Sequence, residues 1–141
     1  MSTKARLVLA LIAALCFGAS AFAVEQCPVS DADTDKAGSY FEAVKTAVRN
    51  APNCERAFKI TEACQFGDSK TNRLLEIVES KCEPLFMKKA DAKTKTAYEK
   101  AQERCDEIPK KNPGTMYQSF AAVCRAEKAR DFARRYGGGK R

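Results

Sequence analysis

The chain has 141 residues, with 25 lysines and arginines against 18 aspartates and glutamates, seven cysteines, and neither histidine nor tryptophan. This length suits one hydrophobic core, and 30% charged with 45% hydrophobic residues is typical of a folded domain. The lack of histidine excludes Ser/His and Cys/His nucleophile pairs and histidine-containing zinc sites. We therefore expect a protein that is not an enzyme and has no metal or other cofactor.

The first 23 residues have the features of a cleaved signal peptide. Lys4 and Arg6 precede an apolar run over 7–17, which is shorter than the roughly 20 residues that cross a bilayer. Ala21-Phe22-Ala23 then places small residues on either side of one position, as signal peptidase requires. We expect a mature chain of residues 24–141 that is periplasmic or secreted and has no transmembrane segment.

Over residues 24–136 the apolar side chains recur at intervals of three and four, which is typical of amphipathic helices. The sequence predicts a single all-α domain, a small bundle of about five helices. A lead over 24–33 comes first, and the first predicted helix covers 35–50 until Pro52 stops it. The second begins after Asn53, a favourable N-cap, and ends at Gly67.

The remaining three helices complete the predicted bundle. The third begins near Asp68 or Ser69, and Pro84 should kink or end it. The fourth covers 91–108 and should stop at Pro109. The fifth begins with a capping box at Thr115 and Gln118 and ends at the glycines 137–139, which open a flexible basic tail over 137–141. Its predicted core face comprises Tyr117, Phe120, Ala121, Cys124, Phe132 and Tyr136.

Cys16 belongs to the signal peptide, so six cysteines are left, and an even number in an exported chain predicts a disulfide framework. Facing residues in two antiparallel helices lie equally far from the turn between them. The midpoint of positions 54 and 82 falls at the Gly67/Asp68 turn, and that of 105 and 124 falls close to the turn over 109–114. We therefore predict the disulfides Cys54–Cys82, Cys105–Cys124 and, with the two cysteines that are left, Cys27–Cys64.

The net positive charge of the mature chain lies at its C-terminal end. Residues 24–124 have 16 basic and 16 acidic side chains, whereas the last 17 residues have seven basic and two acidic ones. Such a stripe either contacts an anionic polymer or lipid surface or simply complements the negative end of the helix dipole. We do not expect nucleic acid as the partner, because no binding motif accompanies the charge. The candidate anion-contacting residues are Arg125, Arg130, Arg134, Arg135, Lys140 and Arg141.

The C-terminal half resembles a known family. Tyr98-Glu99-Lys100-Ala101-Gln102-Glu103-Arg104-Cys105, followed by Gly114-Thr115-Met116 and a helix that contains Cys124, is similar to the LprI-type lysozyme inhibitor family of bacterial envelope proteins. The resemblance implies a small exported helical protein in which the first of these cysteines is bonded to the second. It also implies inhibition of a lysozyme as the activity.

The sequence thus predicts an exported binding module that occupies the surface or cleft of a partner protein, with a lysozyme as the implied partner. A disulfide-held turn presents side chains at low entropic cost. The candidate partner-binding residues therefore lie at the turn before the last helix, namely Lys110, Lys111, Asn112 and Thr115. The alternative is a cell-envelope protein that attaches to anionic polymer or lipid through the basic C-terminal helix.

A third interpretation is a carrier of a small apolar ligand between the helices. At helical spacing, aromatic side chains more often form only the core. The aromatic residues that such a carrier would use are Tyr40, Phe41, Phe58, Phe86, Tyr98, Phe120 and Phe132.

Overall fold

The structure, a computed structural model, describes residues 25–138, so the predicted signal peptide and residues 139–141 of the predicted tail lie outside the described part. Within it the chain is all-helical. The helices are α1 (Asp31–Ala37), α2 (Tyr40–Asn50), α3 (Cys54–Ala63), α4 (Ser69–Met87), α5 (Ala92–Lys111) and α6 (Thr115–Tyr136). The predicted small helical bundle is confirmed.

The first predicted helix over 35–50 was wrong, because the chain forms two helices there. Ser30 and Asp33 form a reciprocal capping box that begins α1 inside the predicted lead. Gly38 ends α1 with φ of 81°, a left-handed conformation that is unfavourable for residues with a Cβ. Ser39 then caps α2 by accepting a hydrogen bond from the backbone N–H of Glu42.

Two prolines lie inside helices, where the sequence predicted an end or a kink. Pro84 is in the last turn of α4 and Pro109 in the last turn of α5. At these positions a proline removes one backbone hydrogen bond close to an end that is already short of partners. The last turn of α4 is held by Phe86, which is fully buried. The last turn of α5 is closed by Asn112, whose backbone N–H and side-chain amide both donate to the carbonyl of Ile108.

The predicted capping box at Thr115 and Gln118 was also wrong. Gly114 is the N-cap of α6, and no side chain caps this end of the helix. Gly114 has φ of 127°, a conformation that favours glycine. The C-terminal end of α6, directly before Gly137, lies where the sequence predicted it.

Helix α4 is central, with α2, α3 and α6 packed against it, and α5 packs on α6. An aromatic cluster joins the last three helices. The ring of Phe86 on α4 lies 4.9 Å from that of Tyr98 on α5 and 5.6 Å from that of Phe132 on α6. Fully buried aliphatic side chains, including Val44, Leu74 and Val78, extend this core towards α2.

Three disulfides connect the elements, in the three pairs that the sequence predicted. Cys54–Cys82 joins α3 to α4, and Cys105–Cys124 joins α5 to α6. Cys27–Cys64 fastens the segment before α1 to the end of α3. The first two follow from hairpin geometry, since each pair faces across two antiparallel helices.

Candidate partner-binding site

The four predicted contact residues lie at the turn between α5 and α6, and they differ in whether their side chains face solvent or cap a helix. Lys111 and Thr115 are exposed. The Lys110 ammonium donates to the Glu107 carboxylate at 2.9 Å, which raises the pKa of Lys110 and lowers the pKa of Glu107. Asn112 donates to the Ile108 carbonyl at 3.1 Å and is half-buried. Asn112 therefore closes the end of α5, and the other three side chains face solvent.

Beyond this turn, α6 exposes three large apolar side chains on one face. Met116, Phe120 and Val123 are 56%, 51% and 37% exposed. Their spacing of four and three places them above one another along the helix. We call these three residues the apolar strip. The sequence prediction had assigned Phe120 to the core, and that assignment was wrong.

Alanines explain why the apolar strip faces outward. The buried residues of α6 are Ala121, Ala122, Ala126 and Ala129. Small side chains allow the backbone of α6 to approach α4 and α5 closely, so the large side chains at the N-terminal end of the helix turn to the other side. The sequence does contain a pattern that indicates this buried face, since the alanines at 122, 126 and 129 recur at intervals of four and three. The aromatic residues of α6 also have helical spacing, so the two patterns indicate different buried faces.

Helix α6, which carries the apolar strip, is fixed to its neighbours by covalent and polar contacts. Cys124 is bonded to Cys105, which is fully buried on α5. Gln102 of α5 donates to the backbone carbonyl of Arg125 at 3.3 Å. The Arg125 guanidinium donates to Asp106 at 2.8 Å. A partner would therefore meet a surface that is already ordered.

A buried tyrosine continues this polar network towards α4. The Tyr98 hydroxyl donates to the Glu83 carboxylate at 2.6 Å and accepts a hydrogen bond from Gln102. Burial raises the pKa of Tyr98, and the neighbouring Glu83 raises it further. The phenol therefore stays neutral and serves as a fixed connection between α4 and α5.

The predicted anion-contacting residues do not form one exposed stripe. Arg125 is held between Asp106 and Glu79, whose carboxylate is 3.7 Å away. The Arg130 guanidinium lies 4.0 Å from the centre of the Phe58 ring, and its side chain is only 18% exposed. Internal partners therefore occupy both arginines, and their contact with an anion stays a prediction.

The other predicted basic contacts are at the C-terminal end. Arg134 and Arg135 are exposed, and the Arg134 guanidinium lies 3.8 Å from Asp131. Lys140 and Arg141 lie outside the described residues. The anion-contacting interpretation therefore rests on Arg134 and Arg135 within the described part of the chain.

The aromatic residues of the carrier interpretation mainly pack on one another. Phe58, Phe86 and Tyr98 are buried, and the rings of Tyr98 and Phe132 are 5.2 Å apart. Phe41 lies at the edge of the core, with its ring 5.6 Å from that of Phe66. Tyr40 and Phe120 are exposed, so they do not face a space between the helices.

Among residues 25–138, no group of three or more acidic or cysteine side chains is arranged to hold a metal ion. No helix in that range is both long and apolar enough to cross a bilayer. Comparison with protein-family models, with characterised proteins and with solved structures finds no match to this chain.

Proposed function

We propose that the chain is an exported, non-catalytic binding module that acts in the manner of a lysozyme inhibitor, by occupying the surface of a protein partner. It docks through the end of α5 and the first half of α6. One observation carries the proposal, namely the exposed apolar strip of Met116, Phe120 and Val123 on a crosslinked helix. Export to the periplasm or beyond is supported by three disulfides, which persist in oxidising compartments.

The chemistry of the apolar strip suits a protein interface. Methionine and aromatic residues are enriched at interface cores, and a few well-placed large side chains supply most of the binding energy. Tyr117 packs edge-on against Phe120, with ring centres 5.9 Å apart, and restricts its movement. Because the disulfide orders the helix before binding, little conformational entropy is lost on association.

The charges beside the apolar strip favour a partner with an acidic cleft. Lys111 is exposed at the end of α5 that leads into α6, and Lys110 beside it is exposed as well, although it is paired with Glu107. Enzymes that cleave glycosidic bonds use a pair of carboxylic residues in a substrate cleft. A surface that combines cations with apolar side chains is complementary to such a cleft, and the family resemblance of the C-terminal half supplies the same partner class.

The test is calorimetric binding of the oxidised protein, residues 24–141, to c-type and g-type lysozymes, together with a turbidity assay for inhibition. We expect saturable binding. The double variant M116S/F120S should weaken it at least about tenfold, because two central apolar contacts are worth more than 1.4 kcal/mol. The matched control is L85S, since Leu85 is 46% exposed and lies on α4 outside the site.

A second variant tests the basic part of the surface. Changing Lys110, Lys111, Asn112 and Thr115 together to alanine should weaken binding and slow association. Absence of binding and inhibition for both lysozymes would contradict the proposal. Binding to anionic vesicles or wall polymer that survives M116S/F120S and disappears at high salt would instead favour attachment through Arg134 and Arg135.

A further inference from the structure

A second surface, which shares no residue with the apolar strip, is an open groove of about 580 Å³ between α2 and α4. Its apolar lining comes from Phe41 and Ile77, both of which pack partly against the core. Polar and charged side chains line the rest. Its volume is in the range of ligand-binding clefts, and its open form suits a chain segment more than an enclosed small molecule.

The orientation of α2 and α4 places an arginine towards each end of the groove. The Lys81 ammonium donates to the backbone carbonyl of Arg49 at 2.9 Å, so the end of α2 lies beside Lys81. Arg73 also lines the groove and is eight residues earlier on α4, which corresponds to about 12 Å along the helix. At the same end as Arg73, Phe41 packs against Phe66, which precedes α4.

The charges of these two arginines are only partly compensated within the described part of the chain. Arg49 and Arg73 are exposed, and neither forms an ion pair with another residue between 25 and 138. Lys45 also lines the groove, but Glu42 already pairs with it. Glu76, which is exposed, also lines the groove. The two arginines and Glu76 together have a net charge of one positive unit.

We infer that this groove binds an extended acidic segment of a protein partner, with two carboxylates four residues apart and an apolar side chain between them. In an extended chain, side chains at i, i+2 and i+4 face the same way, and positions i and i+4 are about 13 Å apart. That spacing is close to the rise of about 12 Å along α4 that separates Arg73 from Lys81, beside which the backbone of Arg49 lies. A guanidinium binds a carboxylate through two parallel hydrogen bonds, and the central apolar side chain lies on Ile77, which is midway between Arg73 and Lys81 on α4.

The experiment titrates the oxidised protein with the capped peptide Glu-Ser-Leu-Ser-Glu and follows backbone amide shifts by NMR. We expect saturable shifts over 41–49 and 73–80 at millimolar peptide. The double variant R49Q/R73Q should lose about tenfold in affinity. The control K100Q/R104Q removes the same charge from exposed positions on α5 and should bind like the parent protein.

Two further comparisons make the result specific. E76Q should bind the peptide more tightly, because it removes the acid between the arginines. A peptide of the same composition with adjacent glutamates, Glu-Glu-Leu-Ser-Ser, should bind more weakly than the first. Equal binding of the two peptides, equal loss in both double variants, or binding of anionic vesicles alone would overturn the inference. None of these results depends on lysozyme binding through α6.

Discussion

The body of the molecule, α3 to α6, and the N-terminal segment over 25–38 are held in place by different forces. The body buries large side chains, among them Phe58, Leu74 and Phe86, which are at most 1% exposed. Helix α1 of the N-terminal segment buries none of its residues. Instead, the segment depends on the Cys27–Cys64 disulfide, on an ion pair between Glu25 and Arg56, and on polar caps.

This difference separates two sources of stability. In the body, apolar burial contributes about 25 cal/mol per Å² removed from water, and this contribution adds to that of the crosslinks. The N-terminal segment removes little apolar surface from water, although Cys27 and Val29 touch the core. It therefore stays in place mainly because its attachment points limit where it can go.

The largest expected effect is the loss of a core aromatic side chain from the body. Phe86 is fully buried against Tyr98 and Phe132. We expect F86A to lower the free energy of unfolding by about 3 to 5 kcal/mol, because burial is lost and a cavity remains. Urea unfolding of the oxidised protein measures it. The adjacent L85A is the control and should cost less than about 1 kcal/mol. Equal losses would contradict the assignment of the core.

The second prediction compares two disulfides that close loops of similar length, with a sequence separation of 28 for Cys54 and Cys82 and of 37 for Cys27 and Cys64. Loop-closure entropy alone gives each about 3 to 4 kcal/mol. We expect C54A/C82A to lose at least that much, since both sulfur atoms leave a packed region. C27A/C64A should lose less free energy of unfolding, because removing this disulfide frees the N-terminal segment in the folded state as well as in the unfolded state.

Urea midpoints of the two double variants measure this contrast. Hydrogen exchange adds a local measurement, since C27A/C64A should speed exchange over 31–37 while the amides of α4 remain protected. If both variants lose the same free energy and α1 stays protected, the N-terminal segment belongs to the same cooperative unit as the body.

Local spacing in the sequence predicts much of this fold, because helix periodicity, caps and short turns depend only on residues that are close together along the chain. Periodicity of three and four identified the helices, and the turns at Gly67 and Gly114 led to two disulfide pairs through hairpin symmetry. The boundary at Gly38 was within reach too, since serines at 30 and 39 each precede an acid by three residues. These signals act within a few residues along the chain.

The features that the sequence did not predict, namely the buried face of α6 and the contacts of two arginines, depend on tertiary packing. Whether Phe120 or Ala122 faces the core depends on how closely α6 approaches its neighbours, and both patterns are periodic. The fate of Arg125 and Arg130 depends on Asp106, Glu79 and Phe58, which are distant in sequence. A net charge counted along the chain therefore overstated the exposed basic surface, and the apolar strip remained unrecognised.

The smallest expected effects are pH dependences of opposite sign in the two regions. Asp33 in the N-terminal segment accepts hydrogen bonds from the Ser30 side chain and backbone, which lower the pKa of its carboxyl below 3.8. Its contribution is therefore present above the unfolded-state pKa and is lost as the pH falls through the folded-state pKa. Glu79 in the body has a pKa raised above 4.5 by burial, although Arg125 opposes the shift.

For Glu79 the stabilising contribution is present below 4.5 and is lost as the pH rises through the raised pKa. E79Q should therefore stabilise the protein at neutral pH relative to the parent, and the gain should vanish in acid, where the parent carboxyl is protonated as well. D33N should do the reverse, speeding hydrogen exchange in α1 at neutral pH and having no effect in strong acid. Unfolding and exchange measured from about pH 1 to 7 test both signs. If E79Q destabilised the protein at neutral pH, the Arg125 ion pair would outweigh the burial of the carboxylate, and the polar contacts that hold α6 would contribute to stability as directly as the apolar core.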